Sequence, residues 1–305
     1  MSRLDRSPPS FFARLFYSPN ERRLRTLWRI LGQTVLFFVF GLIFALALGW
    51  LLFFNLSAEL NLLVQQVIAF FAITVSVYLA RRVLDKRSFA SLGLAWNSLA
   101  GRDLLVGFTL PAVMMGLVFL ILWGAGWLRI DRFTWQVQPP PAVLASTALM
   151  LLTFVLVGWS EELLSRGYHL QNIADGLNLF WGVALSSLFF AVLHFANPSF
   201  GSNSIPFLGL VAAGLFLAFG WLRTRQLWLP IGLHAGWNFF EGPVFGFQVS
   251  GLETFRLIQH TTAGPDWITG GRFGPEGGLI LLPALALGAV MIYLYTRGRT
   301  PEVKE

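Results

Sequence analysis

Six polar residues of this 305-residue chain combine types and spacings that can do chemistry. Glu161 and Glu162 are adjacent, and Arg166 follows Glu162 by four positions. On a helix, a carboxylate four residues before a cation shares its face in the favourable order, so Glu162 and Arg166 are expected to pair. Glu161 then points about 100° away, toward a different neighbour. One carboxylate is neutralised and the other stays free, and a free carboxylate between apolar walls suits a general base for water. His194 closes an apolar run one turn after Phe190. His234 and Asn238 are again four apart and face the same way. Histidine can donate or accept and asparagine does both, so the pair suits a carbonyl oxygen or the oxyanion formed from it.

Each group also has a plainer reading. The glutamates could be solvated at a helix end, His194 could be a packed and hydrogen-bonded ring, and His234 with Asn238 could join two helices. Taken together, a base-activated water, a histidine and an oxyanion site are the parts that amide hydrolysis requires. Ser160 and Ser165 flank the glutamates without a paired base, and neither a GxSxG nor an HExxH pattern occurs. With no cysteine in the chain, thiolate nucleophiles and Cys-type zinc sites are excluded.

The elements that must position these residues are membrane helices. Of the chain, 55% is hydrophobic and only 12% charged, about half the charge of an ordinary soluble domain. The fold class expected is all-α, a polytopic transmembrane bundle of about eight spans, since a helix needs about 20 apolar residues to cross ~30 Å of hydrocarbon. The candidate spans run over 31–54, 60–80, 104–127, 143–160, 177–195, 205–222, 226–240 and 278–295. Residues 1–29 form a basic tail, 30–296 the membrane domain with its chemical core at about 143–243, and 297–305 a second tail. The apolar stretch from Ile30 to Ala58 is too long for a signal peptide and reads as a retained first span. Phe11, Phe12, Leu15, Phe16 and Tyr17 suggest an interfacial helix before it.

The net charge of +7 sits in short clusters beside the spans, which indicates topology and not nucleic acid. Arg22, Arg23, Arg25 and Arg29 precede span one, and Arg81, Arg82, Lys86 and Arg87 follow span two. Arg223 and Arg225 separate spans six and seven, and Arg297, Arg299 and Lys304 follow span eight. An even number of spans with both termini cytoplasmic fits all four clusters, and residues 243–277 then form the longest outer loop. Arg129 and Arg132 on that outer side count mildly against it. Trp50, Trp96, Trp127, Trp135 and Trp228 fall near span ends, as interface anchors do.

In order and spacing, Glu161-Glu162-Leu-Leu-Ser-Arg166, Phe190-Ala-Val-Leu-His194 and His234-Ala-Gly-Trp-Asn238 resemble the motifs of the CAAX-protease and bacteriocin-processing (CPBP, or Abi) family of intramembrane proteases. The resemblance covers about residues 143–243. It implies an intramembrane endopeptidase of the CAAX prenyl protease type in which Glu161 and His194 activate a water and His234 with Asn238 binds the oxyanion. Glu162 and Arg166 would support that site. It implies a peptide or protein substrate, lipidated or membrane-bound, and a bacterial plasma membrane setting. Family members have been described both as metalloproteases and as metal-independent peptidases. No obligatory cofactor is expected, with zinc on Glu161, His194 and His234 as the alternative. Non-catalytic bacteriocin immunity or membrane transport is the alternative function.

The span boundaries conflict with the motifs. A fourth span ending near Ser160 puts Glu161 at the cytoplasmic surface, whereas His194 at the far end of the fifth lies about 25 Å away in depth. The two meet only if the fourth helix continues past Glu161 inside the membrane, with Arg166 snorkelling, or if a span end is misplaced.

Overall fold

The computed structural model describes residues 15–18, 23–200 and 205–299. Residues 11–14 of the expected interfacial helix, and Arg22 and Lys304 of the basic clusters, lie outside them. Helix α1 (Thr26–Leu48) is followed by α2 (Ala58–Leu79), α3 (Ala100–Gly124), strand β1 (Leu128–Phe133), α4 (Pro140–Glu162) and α5 (Leu170–Gly176). After these come α6 (Leu179–Leu193), α7 (Ile205–Thr224), α8 (Trp228–Phe239), β2 (Ile258–Thr262), α9 (Asp266–Thr269) and α10 (Leu281–Tyr295). Six helical stretches among the described residues are long and apolar enough to cross a membrane. Helix α10 is apolar but shorter, and α8 has 12 residues. The bundle is nearly all helical and the chain is a multi-pass membrane protein, with these two shorter helices accounting for the seventh and eighth expected spans.

One element differs from the expected spans in a way that resolves the depth conflict. Helix α4 does not stop at the polar cluster. It continues through a π-helical segment, Leu163–His169, into α5, giving an uninterrupted 37 residues from Pro140 to Gly176. Helix α6 then folds back after a turn whose Asn178 side chain caps it by accepting from the Trp181 N–H. Glu161 therefore lies 15 residues before the turn at Gly176, and His194 lies 15 residues after Leu179. At 1.5 Å per residue both sit about 22 Å from the turn, at one depth. The charged run reads as a helix end because ionisable groups are costly in a bilayer, but here the bundle satisfies them internally. Arg166 does not snorkel: it is fully buried and bonded inside the protein.

The basic clusters lie together at one end of the bundle. There Arg29 and Arg81 pair with Asp85, Arg23 and Arg87 with Asp175, and Arg299 with Asp103, while Arg223 donates to Thr296. At the opposite end β1 and β2 form an antiparallel two-stranded sheet, an element absent from the sequence reading. That pairing accounts for Arg129 and Arg132: they stand on an exposed strand, where Arg129 pairs with Asp131 and Arg132 donates to Gln259.

Residues 243–277 are not a plain outer loop. Phe247, Val249 and Phe273 are buried, and the carbonyl of Pro243 and the N–H of Leu257 bond to each other. Irregular backbone is tolerated at such a place because protein, and not lipid, surrounds it. The core joins α3, α7, α8 and α10 through Met114, Val118, Leu217, Leu233 and Ala284. Helix α8 also passes close to α4, where a Cβ on Gly158 would come within 2.8 Å of the Ala235 nitrogen. That close approach brings α8 side chains up to Glu161 and Glu162.

Candidate active site

Glu162 is at the centre of the buried polar cluster. It has no solvent exposure, and its Oε1 accepts from Arg166 at 2.8 Å and from His234 Nδ1 at 2.8 Å. Arg166 also donates to the Gly214 carbonyl of α7 at 2.7 Å, and its guanidinium lies 4.6 Å from the centre of the Phe190 ring. The expected Glu162–Arg166 pair therefore forms and ties α4 to α6, α7 and α8. The i,i+4 spacing survives the onset of the π-helical turn, and small residues such as Gly214 let the guanidinium reach a neighbouring backbone carbonyl.

Glu161 faces the other way, as the 100° rotation between adjacent helical residues requires. Its Oε2 lies 3.8 Å from His194 Nε2 and 3.9 Å from His234 Nε2. Both distances are too long for a direct hydrogen bond and leave room for a small group between the three side chains. The far nitrogen of each ring is held: His194 Nδ1 donates to the Phe190 carbonyl at 2.8 Å, and His234 Nδ1 donates to Glu162. These partners orient the two Nε2 atoms toward Glu161. Phe190 wedges between the rings, 4.7 Å from His194 and 5.8 Å from His234.

Asn238, one turn beyond His234, is buried, and its side-chain amide meets no protein partner. It opens with Glu161, His194 and His234 onto a cavity of about 360 Å³. Gln33, Phe37 and Phe38 of α1, Thr153 and Val157 of α4, and Val249, Ser250 and Glu276 also line that cavity. The sequence-predicted residues thus divide into two layers. Glu161, His194, His234 and Asn238 face the cavity, while Glu162 and Arg166 stand behind them.

Glu161 stands farther from the two histidines than the ligands of a tetrahedral zinc ion stand from one another. Ligands about 2.0–2.1 Å from the metal lie roughly 3.3–3.4 Å from one another at tetrahedral angles, closer than the 3.8 and 3.9 Å here. Among the described residues no group of three His, Asp or Glu side chains has the arrangement that holds a metal ion.

Several cavity residues escaped the sequence reading. Glu276 stands in a Gly-Pro-Glu-Gly-Gly stretch that resembles exterior loop, and Ser250 precedes a glycine in the same region. His169 lies in the π-helical segment, 4% exposed with its Nε2 unbonded, and its position beyond the assumed span end hid it. Glu241, buried and not part of the cavity lining, was legible in principle, three residues after Asn238 on the same apolar segment.

Residues 143–240, about a third of the chain, match the family described as type II CAAX prenyl endopeptidase Rce1-like. The match spans all three motifs and agrees with the family their spacing resembles. No curated protein and no solved structure matches the chain.

Proposed function

We propose that this protein is an intramembrane endopeptidase of the CAAX type that hydrolyses peptide bonds with a water held by Glu161 and His194. The observation that carries the reading is the convergence of Glu161 Oε2 with two Nε2 atoms from separate segments, 3.8 and 3.9 Å away, beside the unbonded amide of Asn238. In this mechanism Glu161 takes a proton from the water as its oxygen attacks the substrate carbonyl carbon. The oxyanion so formed accepts from Asn238 Nδ2–H and, when His234 Nε2 holds a proton, from that ring. Glu162 matches the imidazolium charge through Nδ1, and Arg166 fixes Glu162. As the carbon–nitrogen bond breaks, the proton on Glu161 passes to the departing amine.

The chemistry asks for no obligatory metal. The substrate is a peptide or protein segment carrying or embedded in lipid, since the cavity combines the site with apolar residues of α1. Clustering of the Arg-rich ends at one side of the bundle supports cytoplasmic termini, and the setting we infer is the bacterial plasma membrane.

The test is cleavage of a quenched, lipidated peptide library by detergent-purified wild type and Glu161→Ala, with and without a zinc chelator. Cleavage by wild type alone, unaffected by the chelator, is the expected result. Full activity in Glu161→Ala would overturn the assignment, and loss of wild-type activity with chelator would overturn the metal-free mechanism.

A further inference from the structure

The cavity lining includes a carboxylate that the hydrolytic mechanism does not use. Glu276, 5% exposed, lines the cavity with Asn197 and Asn238. Its Oε2 accepts from the Ser250 hydroxyl. The Ser250 carbonyl in turn accepts from Asn197 Nδ2 at 3.1 Å, three residues beyond His194. This wall is therefore built onto the same segment that carries His194. The second Glu276 oxygen has no hydrogen-bond donor and is not sealed from the cavity.

Behind Glu276 stands Glu241, on the π-helical turn Phe240–Val244 that continues α8. It is completely buried, and the donors near it are neutral ones, the Trp237 indole N–H and the Glu276 main-chain N–H. Among the described residues neither glutamate has a cationic partner. Every other buried carboxylate described above meets an arginine: Glu162, Asp85 and Asp103 all do. Two enclosed carboxylates without a counter-charge are costly in a low-dielectric interior, and the cost falls when a cation arrives from outside.

We propose that Glu276, backed by Glu241, forms a subsite for a cationic group of the peptide substrate, an ammonium or guanidinium. The proposal rests on the proteolytic reading given above. An extended peptide advances about 3.3 Å per residue, so in a cavity of this size the cation belongs to a residue within about two of the cleaved bond. Both a Lys or Arg side chain and a free amino terminus carry this chemistry.

Peptide pairs differing only as Lys or norleucine, at each of the two positions on either side of the cleaved bond, test it. The peptides are N-acetylated, and a parallel set keeps the free amine. The readouts are the Lys-to-norleucine ratio of kcat/KM and the same ratio of affinities for the cleavage-incompetent Glu161→Ala protein. At one position the wild-type ratio is expected to be about tenfold and to lie in KM, the size of one charge-assisted hydrogen bond. It should fall to near one in Glu276→Gln and shrink in Ser250→Ala. A gain from the free amine alone would assign the site to the amino terminus. Ratios near one in wild type, in cleavage and in binding, would overturn the proposal. Failure of the protease reading is separate: wild type would cleave none of the peptides, while the binding ratio would still decide the subsite.

Discussion

Asp85 and Glu161 are carboxylates held by the same bundle in opposite surroundings. Asp85 is sealed and saturated, taking hydrogen bonds from Arg81, Arg29, Asn172 and Tyr168 at 2.8 to 3.4 Å. Glu161 is partly exposed to the cavity, and its nearest polar partners are two histidine nitrogens at 3.8 and 3.9 Å. The first arrangement joins α1, the end of α2 and the helix pair α4–α5 into one unit. The second leaves an acceptor unoccupied where three side chains converge beside the cavity. A bilayer protein satisfies its ionisable groups wherever they are structural, so the unsatisfied ones mark where an outside molecule belongs.

The contrast can be broken by substitution. The largest effect expected is on catalysis: Glu161→Ala should lower kcat/KM by about 10³-fold or more while the thermal midpoint stays near that of wild type. A midpoint that drops with activity would make Glu161 structural. Asp85→Ala should do the reverse, costing ~3–5 kcal/mol of stability because two buried arginines lose their partner, with activity per folded molecule retained. Unfolding in mixed micelles beside a cleavage assay separates the two; an intact midpoint would remove Asp85 from the scaffold. Asn238→Ala should reduce kcat by about 10²–10³-fold with little change in KM, as loss of an oxyanion donor does. An effect confined to KM would place Asn238 in ground-state binding instead.

The smallest effect concerns the outer sheet. Burial, reinforced by Arg256, pushes His260 down to about 4 from its ordinary 6.5. The folded ring stays neutral while the unfolded one takes a proton, so its contribution is intact above pH 6.5 and is lost as pH falls through 4. His260→Phe, which keeps the packing on Phe119 and Phe247, should flatten the fall in thermal midpoint across that window. An unchanged slope would assign the acid sensitivity elsewhere.

The chemistry was more legible in the sequence than its placement. Spacings of four residues report shared helix faces directly, so the Glu162–Arg166 pair and the His234–Asn238 face followed from residue order. The depth of Glu161 did not follow, because hydropathy cannot distinguish a charged helix end from a charged segment satisfied by its neighbours. Arg166 depends on Gly214, 48 residues away, and the continuation through Leu163–His169 leaves no local mark. Glu276 was hidden for the opposite reason: the glycines around it signal an exterior loop and also permit the tight backbone that buries it. The strand pair was missed because β1 and β2 are short and far apart in sequence.

Close packing of α8 against α3 has a mechanical consequence. A methyl group on Gly107, Gly232 or Gly236 would collide with main-chain atoms of the facing helix, so the two backbones lie in direct contact with no compressible side-chain layer between them. Helix α1, in contrast, buries only Arg29 and Gln33. His234 and Asn238 of α8 thus ride on a fixed jaw, whose position a substrate entering the cavity cannot shift without moving α3 as well.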